Sequence, residues 1–234
     1  MPRVAIGFDF DHTLGIDNRL EVDAFVRLVR DRAPSAQRDA DEERARIAMM
    51  REIGHYRSGR CSIDQAVALA LDDVLGDGAG VQPAIEAFRA LAVEMAPGHV
   101  HPMPGAIELL SALDARLVPY AILTNGWNPL QQVKADCIGF AKPVFVSDDL
   151  GLRKPNVHAF NVLRDHFTLP ADLIWYVGDD PKVDVLGALG AGMRAVWFNA
   201  EHGKFPTDIP APTAVVTDLR EIAALIPIEA HAKD

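Results

Sequence analysis

Short apolar runs alternate with helix-length amphipathic stretches along most of this chain, and the alternation is broken once. Runs rich in β-branched and aromatic residues occupy positions 4–8, 120–123, 144–146, 174–177, 195–198 and 214–216. Their length and lack of polar interruption predict strands buried on both faces. From Tyr120 onward, helix-length segments separate these runs. Pro104 and Pro155 stand where helices are expected to open, ahead of Ala106, Leu109 and Leu110 in one case and of Val157, Phe160 and Leu163 in the other. The pattern predicts an α/β fold, a mostly parallel sheet with helices on both faces.

The break falls between the first and second runs, where about 90 residues carry no convincing strand. Four amphipathic helices are predicted there instead. One spans residues 23–32 around Phe25, Val26, Leu28 and Val29, and the next spans 38–56 around Ile47, Met49, Met50 and Ile53. Ser62-Ile63-Asp64-Gln65 fits a capping box ahead of Val67, Leu69 and Leu71. Pro83 opens the fourth, through Ile85, Phe88 and Leu91. Four helices form a small bundle, so the chain is expected to hold an inserted helical domain at 15–100. Residues 1–14 and 101–234 then form the α/β core, with hinges near Gly15 and the 99–104 stretch.

Composition narrows the function. The chain has 234 residues, 49% hydrophobic and 24% charged, which suits a globular protein of one or two domains. A formal net charge of -10 argues against a nucleic-acid partner held through a general basic surface. No apolar stretch approaches the roughly 18 residues needed to span a membrane. The first run is cut by Asp9, unlike a secretion signal, so a cytoplasmic protein with no membrane partner is expected. Cys61 and Cys137 are far apart and form no CxxC pair, so neither a disulfide framework nor a zinc site is indicated. The sequence leaves the oligomeric state open.

In a parallel sheet, ligands bind outside the carboxyl ends of the strands. Asp9 and Asp11 follow the first run, Thr124-Asn125-Gly126 closes the second, and Lys154-Pro155 follows the third. Gly178-Asp179-Asp180 and Asp184 follow the fourth. If the backbone stays extended, a rise of about 3.3 Å per residue puts the first two carboxylates on one side, roughly 6.6 Å apart. Two neighbouring acids repel unless a cation or strong donors offset them, which suggests a metal. Each feature also has a plain reading: an acidic turn, a Thr-Asn-Gly turn, a solvated lysine, and a helix cap at 179–184. Their coincidence at successive strand ends favours a site.

Taken together, Asp9-x-Asp11-x-Thr13, Thr124-Asn125-Gly126, Lys154-Pro155 and Gly178-Asp179-x-x-x-x-Asp184 resemble the four motifs of the haloacid dehalogenase-like hydrolase superfamily. The helical insert is similar to the cap of that superfamily's first cap class. The resemblance implies a Rossmann-like core, a mobile helical cap, Mg2+ and phosphatase activity on a small phosphorylated metabolite such as a sugar phosphate, nucleotide or phospho-acid. In that reading Asp9 is the nucleophile and forms an aspartyl-phosphate, which splits one hard displacement into two easier ones. Asp11 protonates the leaving oxygen and then deprotonates water. Thr124 and Asn125 bind the substrate phosphate, and Lys154 neutralises charge on phosphate and on Asp9.

Magnesium prefers a few oxygen ligands and retains waters. Asp9, Asp179 and the backbone carbonyl of Asp11 are the ligands the resemblance implies. Asp184 acts through water or by positioning Lys154, and Asp180 is either an alternative metal residue beside it or a source of added negative potential. His12 stands where many relatives have glycine; it reads as a turn residue at positive φ, with substrate contact as the alternative. Arg57 and Arg60 are candidate substrate clamps, or else complete a helix C-terminus stopped by Gly59. Trp127 either stacks on substrate or packs. A phosphomutase, a 2-haloacid dehalogenase and a noncatalytic binding protein are the successive alternatives. Asp11 counts against the dehalogenase, which has no leaving alkoxide to protonate.

Overall fold

A computed structural model describes residues 4–17, 19–32, 38–76 and 80–225. The ends of the expected core segments, 1–3 and 226–234, lie outside the described residues. The chain divides into two compact units, Met1–Ile16 with His101–Asp234, and Asp17–Val100.

The first unit is built on a six-stranded parallel sheet in the order β5-β4-β1-β6-β7-β8. Its strands are β1 (Ala5–Phe8), β4 (Tyr120–Thr124), β5 (Val144–Val146), β6 (Ile174–Gly178), β7 (Arg194–Phe198) and β8 (Ala214–Val216). Each matches an apolar run, and the mostly parallel α/β class expected from the sequence is the one observed. The central strands are buried along their whole length, whereas β5 and β8 at the edges are partly exposed. Alternation sorts the side chains: Ala121, Leu123, Ile174, Tyr176, Ala195 and Trp197 share one core cluster with Phe160 and Leu163 of α8 (Val157–Phe167) and Ala188 of α9 (Leu186–Gly190). Phe160 meets Tyr176 edge to face, ring centroids 4.9 Å apart. Gly7 leaves room here, because a Cβ would lie 2.8 Å from the Tyr176 ring.

Three local expectations are corrected. Gly15 and Ile16 (β2), placed by the sequence in the insert, pair antiparallel with Pro102 and His101 (β3, His101–Pro102) and belong to the first unit. Pro104 does not open a helix: α5 (Ala106–Ala115) starts after Gly105, whose φ of 85° lets the chain turn first. Likewise Pro155 precedes α8, which is capped by the Asn156 side chain accepting from the His158 amide at 3.0 Å.

The second unit holds α1 (Leu20–Arg32), α2 (Arg38–Arg57), α3 (Ile63–Leu75) and α4 (Val81–His99), with α1 packed on α2 and α4 and α3 on α2. The capping box is formed: Ser62 Oγ accepts from the Gln65 amide at 3.2 Å, and Gln65 Oε1 accepts from the Ser62 amide at 2.9 Å. On α2 the buried stripe runs through Ala45, Ala48, Met49, Ile53 and Tyr56, while Ile47 and Met50 face outward. The 3.6-residue period explains the split, since 45, 49, 53 and 56 share a face and 47 and 50 do not. Among the described residues no helix is long and apolar enough to cross a membrane.

Candidate active site

Four strand-end segments of the first unit converge. Asp9 continues β1, its amide donating to the Val177 carbonyl of β6 at 2.9 Å. Beyond it the backbone does not stay extended. The Phe10 carbonyl accepts from the amides of Thr13, Leu14 and Gly15 at 3.1, 2.9 and 2.9 Å, folding the loop back on itself. His12 sits at the bend with φ 61° and is exposed, which matches the turn reading. The fold-back gives the two carboxylates different partners, in place of the extended-strand relation expected from their spacing.

Asp9 Oδ1 lies 2.7 Å from Lys154 Nζ, which lies 2.7 Å from Asp184 Oδ1 and donates to the Tyr176 hydroxyl at 2.9 Å. The three ammonium donors are thus matched to three oxygens. Lys154 follows β5 and the short α7 (Ser147–Leu150) in the chain. Its position is fixed by Asn125: the Asn125 Oδ1 accepts from the Lys154 amide at 2.9 Å, and Asn125 Nδ2 donates to the Lys154 carbonyl at 3.0 Å. Both ends of the Asn125 side-chain amide are thus used on the Lys154 backbone. Thr124 differs. Its Oγ1 is buried and has no partner among the described residues, leaving a hydroxyl available to a ligand.

The Asp184 side chain receives the Asp180 amide on Oδ2 at 3.0 Å, so both of its oxygens are engaged. Gly178 makes that possible; a Cβ there would collide with the Asp184 carboxylate. Asp180 Oδ1 caps the π-helical turn Pro181–Val185, accepting from the amides of Lys182 and Val183 at 2.8 and 3.1 Å, and Asp180 lies outside the carboxylate cluster. Asp179 receives a long hydrogen bond from Thr13 Oγ1 at 3.4 Å, and its carbonyl accepts from the Trp197 indole at 2.8 Å.

One carboxylate oxygen from each of Asp9, Asp179 and Asp184 lies within 4.8 Å of the others. Burial, then the neighbouring Asp9, pushes Asp179 up to about 7, and the charge of Asp180 adds to the rise. Asp184 is pushed up to about 8 by burial, which outweighs the lowering effect of Lys154, with Asp9 and Asp179 adding to the rise. Burial opposes the charge on Lys154 too, but the Asp184 and Asp9 carboxylates raise it well above the ordinary lysine value. Three carboxylates sharing one lysine leave negative charge uncompensated, and an all-oxygen donor set fits a hard divalent cation.

Asp11 belongs to a separate cluster. Gln131 and Lys134 of α6 (Leu130–Cys137) reach it, Nε2 to Oδ2 at 3.1 Å and Nζ to Oδ1 at 3.0 Å. Sequence reading missed both, as it missed Tyr176, whose hydroxyl donates to the Leu123 carbonyl at 2.7 Å while receiving Lys154. Trp127 is buried. Arg57 and Arg60 lie in the second unit at the end of α2. There the Gly59 amide donates to Tyr56 O and the Arg60 amide to His55 O, both at 2.9 Å, with Gly59 at φ 73°. This is a Schellman C-terminus. Arg57 Nη2 lies 3.9 Å from Glu21, and Arg60 Nε donates to Ser58 Oγ at 3.0 Å.

Curated relatives include the pyrimidine 5'-nucleotidase YjjG of Escherichia coli, 34% identical over 53% of this chain and 56% of its own length. The phosphoserine phosphatase of Thermus thermophilus is 37% identical over 51% of this chain and 49% of that protein. The chain thus spans about half the length of these relatives. Among solved structures, the magnesium-bound HAD-hydrolase YfnB of Bacillus subtilis shares the fold with a TM-score of 0.71 at 22% identity, covering 97% of this chain and 100% of that one. Residues 4–192 match the family described as haloacid dehalogenase-like hydrolase, and with the strand-end site in place the chain belongs to that family.

Proposed function

We propose that the protein is a divalent-metal-dependent phosphomonoesterase, acting on a small phosphorylated metabolite through a phosphoryl-Asp9 intermediate. The observation that carries this reading is the pairing of two carboxylates with two separate buried lysines: Asp9 with Lys154, and Asp11 with Lys134. A halide-displacing enzyme needs only the first pair. The second keeps a proton carrier beside the nucleophile, which an alkoxide leaving group requires.

Asp9 and Asp179 would hold the metal with the Asp11 backbone carbonyl, and the cation when bound would offset the charge of phosphate and carboxylates. Asp9 attacks phosphorus; the ester P–O bond breaks, and the leaving oxygen takes its electron pair and the Asp11 proton. Water then attacks phosphorus, Asp11 takes its proton, and the bond to Asp9 breaks to release inorganic phosphate. Lys154 neutralises charge on Asp9 and the phosphate, and the free Thr124 hydroxyl donates to a phosphate oxygen. Relatives named as acting on a nucleotide and on phosphoserine support a small phosphorylated substrate.

The test is a panel of sugar phosphates, nucleotides and phospho-acids, assayed with and without Mg2+ beside Asp9→Asn. Magnesium-dependent phosphate release lost in Asp9→Asn is expected. Release that persists in Asp9→Asn would overturn the mechanism, and an isomerised sugar phosphate in place of free phosphate would make the enzyme a mutase.

A further inference from the structure

The Asp11 cluster has features that stability does not explain. Lys134 is 1% exposed and Gln131 2% exposed. The two are three residues apart, hence on one face of α6. Burying a lysine side chain costs rotamer freedom and hydration, and a buried ion pair is no more stabilising than a well-packed apolar pair. Gln131 adds a second cost, because its Oε1 is buried without a partner among the described residues. What the two residues do share is a target. Each donates to a different oxygen of one carboxylate, at 3.0 and 3.1 Å, and this fixes the plane of the Asp11 group while its side chain stays 26% exposed.

Gly126 is shaped to the same end. Its φ is not in the left-handed region, so the turn does not need glycine for its backbone. A Cβ at Gly126 would instead lie 2.5 Å from Gln131 Cγ and Nε2. The glycine therefore clears the path of the Gln131 side chain toward Asp11.

We propose that Gln131 and Lys134 are positioning residues for Asp11, a two-pronged clamp that aims its carboxyl group at the leaving-group oxygen. The inference rests on the phosphatase reading above. A misaimed acid slows the loss of poor leaving groups and spares good ones, whereas a general structural defect slows all esters alike.

The test is a series of aryl phosphates of one scaffold, para-nitrophenyl, phenyl and para-methoxyphenyl, measured as kcat/KM with magnesium for the wild type, Lys134→Met and Gln131→Met. In Lys134→Met the phenyl and para-methoxyphenyl esters are expected to lose about a hundredfold, the nitrophenyl ester less than about fivefold. Gln131→Met shifts the slope the same way by less. If Lys134→Met does not fold, Gln131→Met, which removes no charge, carries the test. Equal losses across the series in a wild-type enzyme that is active on it would overturn the clamp and leave the phosphatase reading standing. A wild type that releases phosphate from no ester, with or without magnesium, would overturn the phosphatase reading and the clamp with it.

Discussion

Lys154 and Lys134 are equally buried and each holds one of two carboxylates two residues apart, yet their surroundings differ. Lys154 is tied to oxygens from three segments, Asp9, Asp184 and Tyr176, and its own backbone is gripped by Asn125. Lys134 reaches Asp11 from α6, and the Asp11 side chain is 26% exposed against 12% for Asp9. A group that must hold one geometry while it attacks gains from a dry, multiply bonded setting. One that must exchange protons with a leaving group and with water gains from an open edge.

The largest effect expected from this contrast is on stability. Lys154→Met leaves buried carboxylates without their cation and should cost about 3 to 5 kcal/mol, read as a lower urea midpoint at unchanged slope. Lys134→Met should cost no more than about 2 kcal/mol, because Asp11 can rehydrate. Equal losses would erase the distinction between the two lysines.

Next in size is the metal. Magnesium at one hundred times its dissociation constant should stabilise the wild type by about 2.7 kcal/mol, and EDTA should remove the gain. Asp179→Asn should show no gain. A melting temperature indifferent to magnesium in the wild type would take the cation out of the Lys154 cluster.

Gly126→Ala crowds Gln131 and is expected to cost about 1 to 3 kcal/mol in a thermal melt. A neutral result would mean that Gln131 swings away freely, and that the clamp on Asp11 is loose. The smallest effect is expected from Asp180→Ala, about 1 kcal/mol for a lost cap, with the magnesium-induced stabilisation intact. Loss of that stabilisation would move Asp180 from cap to metal site.

How far the sequence carried this picture depended on where each residue sat. Asp9, Thr124 and Asp179 stand just past apolar runs, with Lys154 and Asp184 several residues further on, and polar residues after a parallel strand already imply a ligand site. Tyr176 lies inside such a run and reads as core, although its hydroxyl is a partner of Lys154. Gln131 and Lys134 sit on a short helix, where polar residues read as a solvated face until α6 is placed against the loop 10–15. Their shared spacing of three was the only local signal. What the Asn125 and Asp180 side chains bond, the distant Lys154 backbone in one case and the Lys182 and Val183 amides in the other, only the folded chain reveals. The β2–β3 ribbon, two residues on each side, is too short to leave a periodic signal.

The central claim is that phosphate passes through a covalent bond to Asp9. Acid quench of the magnesium-loaded enzyme during turnover of an aryl phosphate, followed by peptide mass spectrometry, tests it most directly. One phosphoryl group on the peptide containing Asp9 in the wild type, and none in Asp9→Asn, is the expected result. A phosphoryl group on any other residue, or undiminished turnover in Asp9→Asn, would contradict the account.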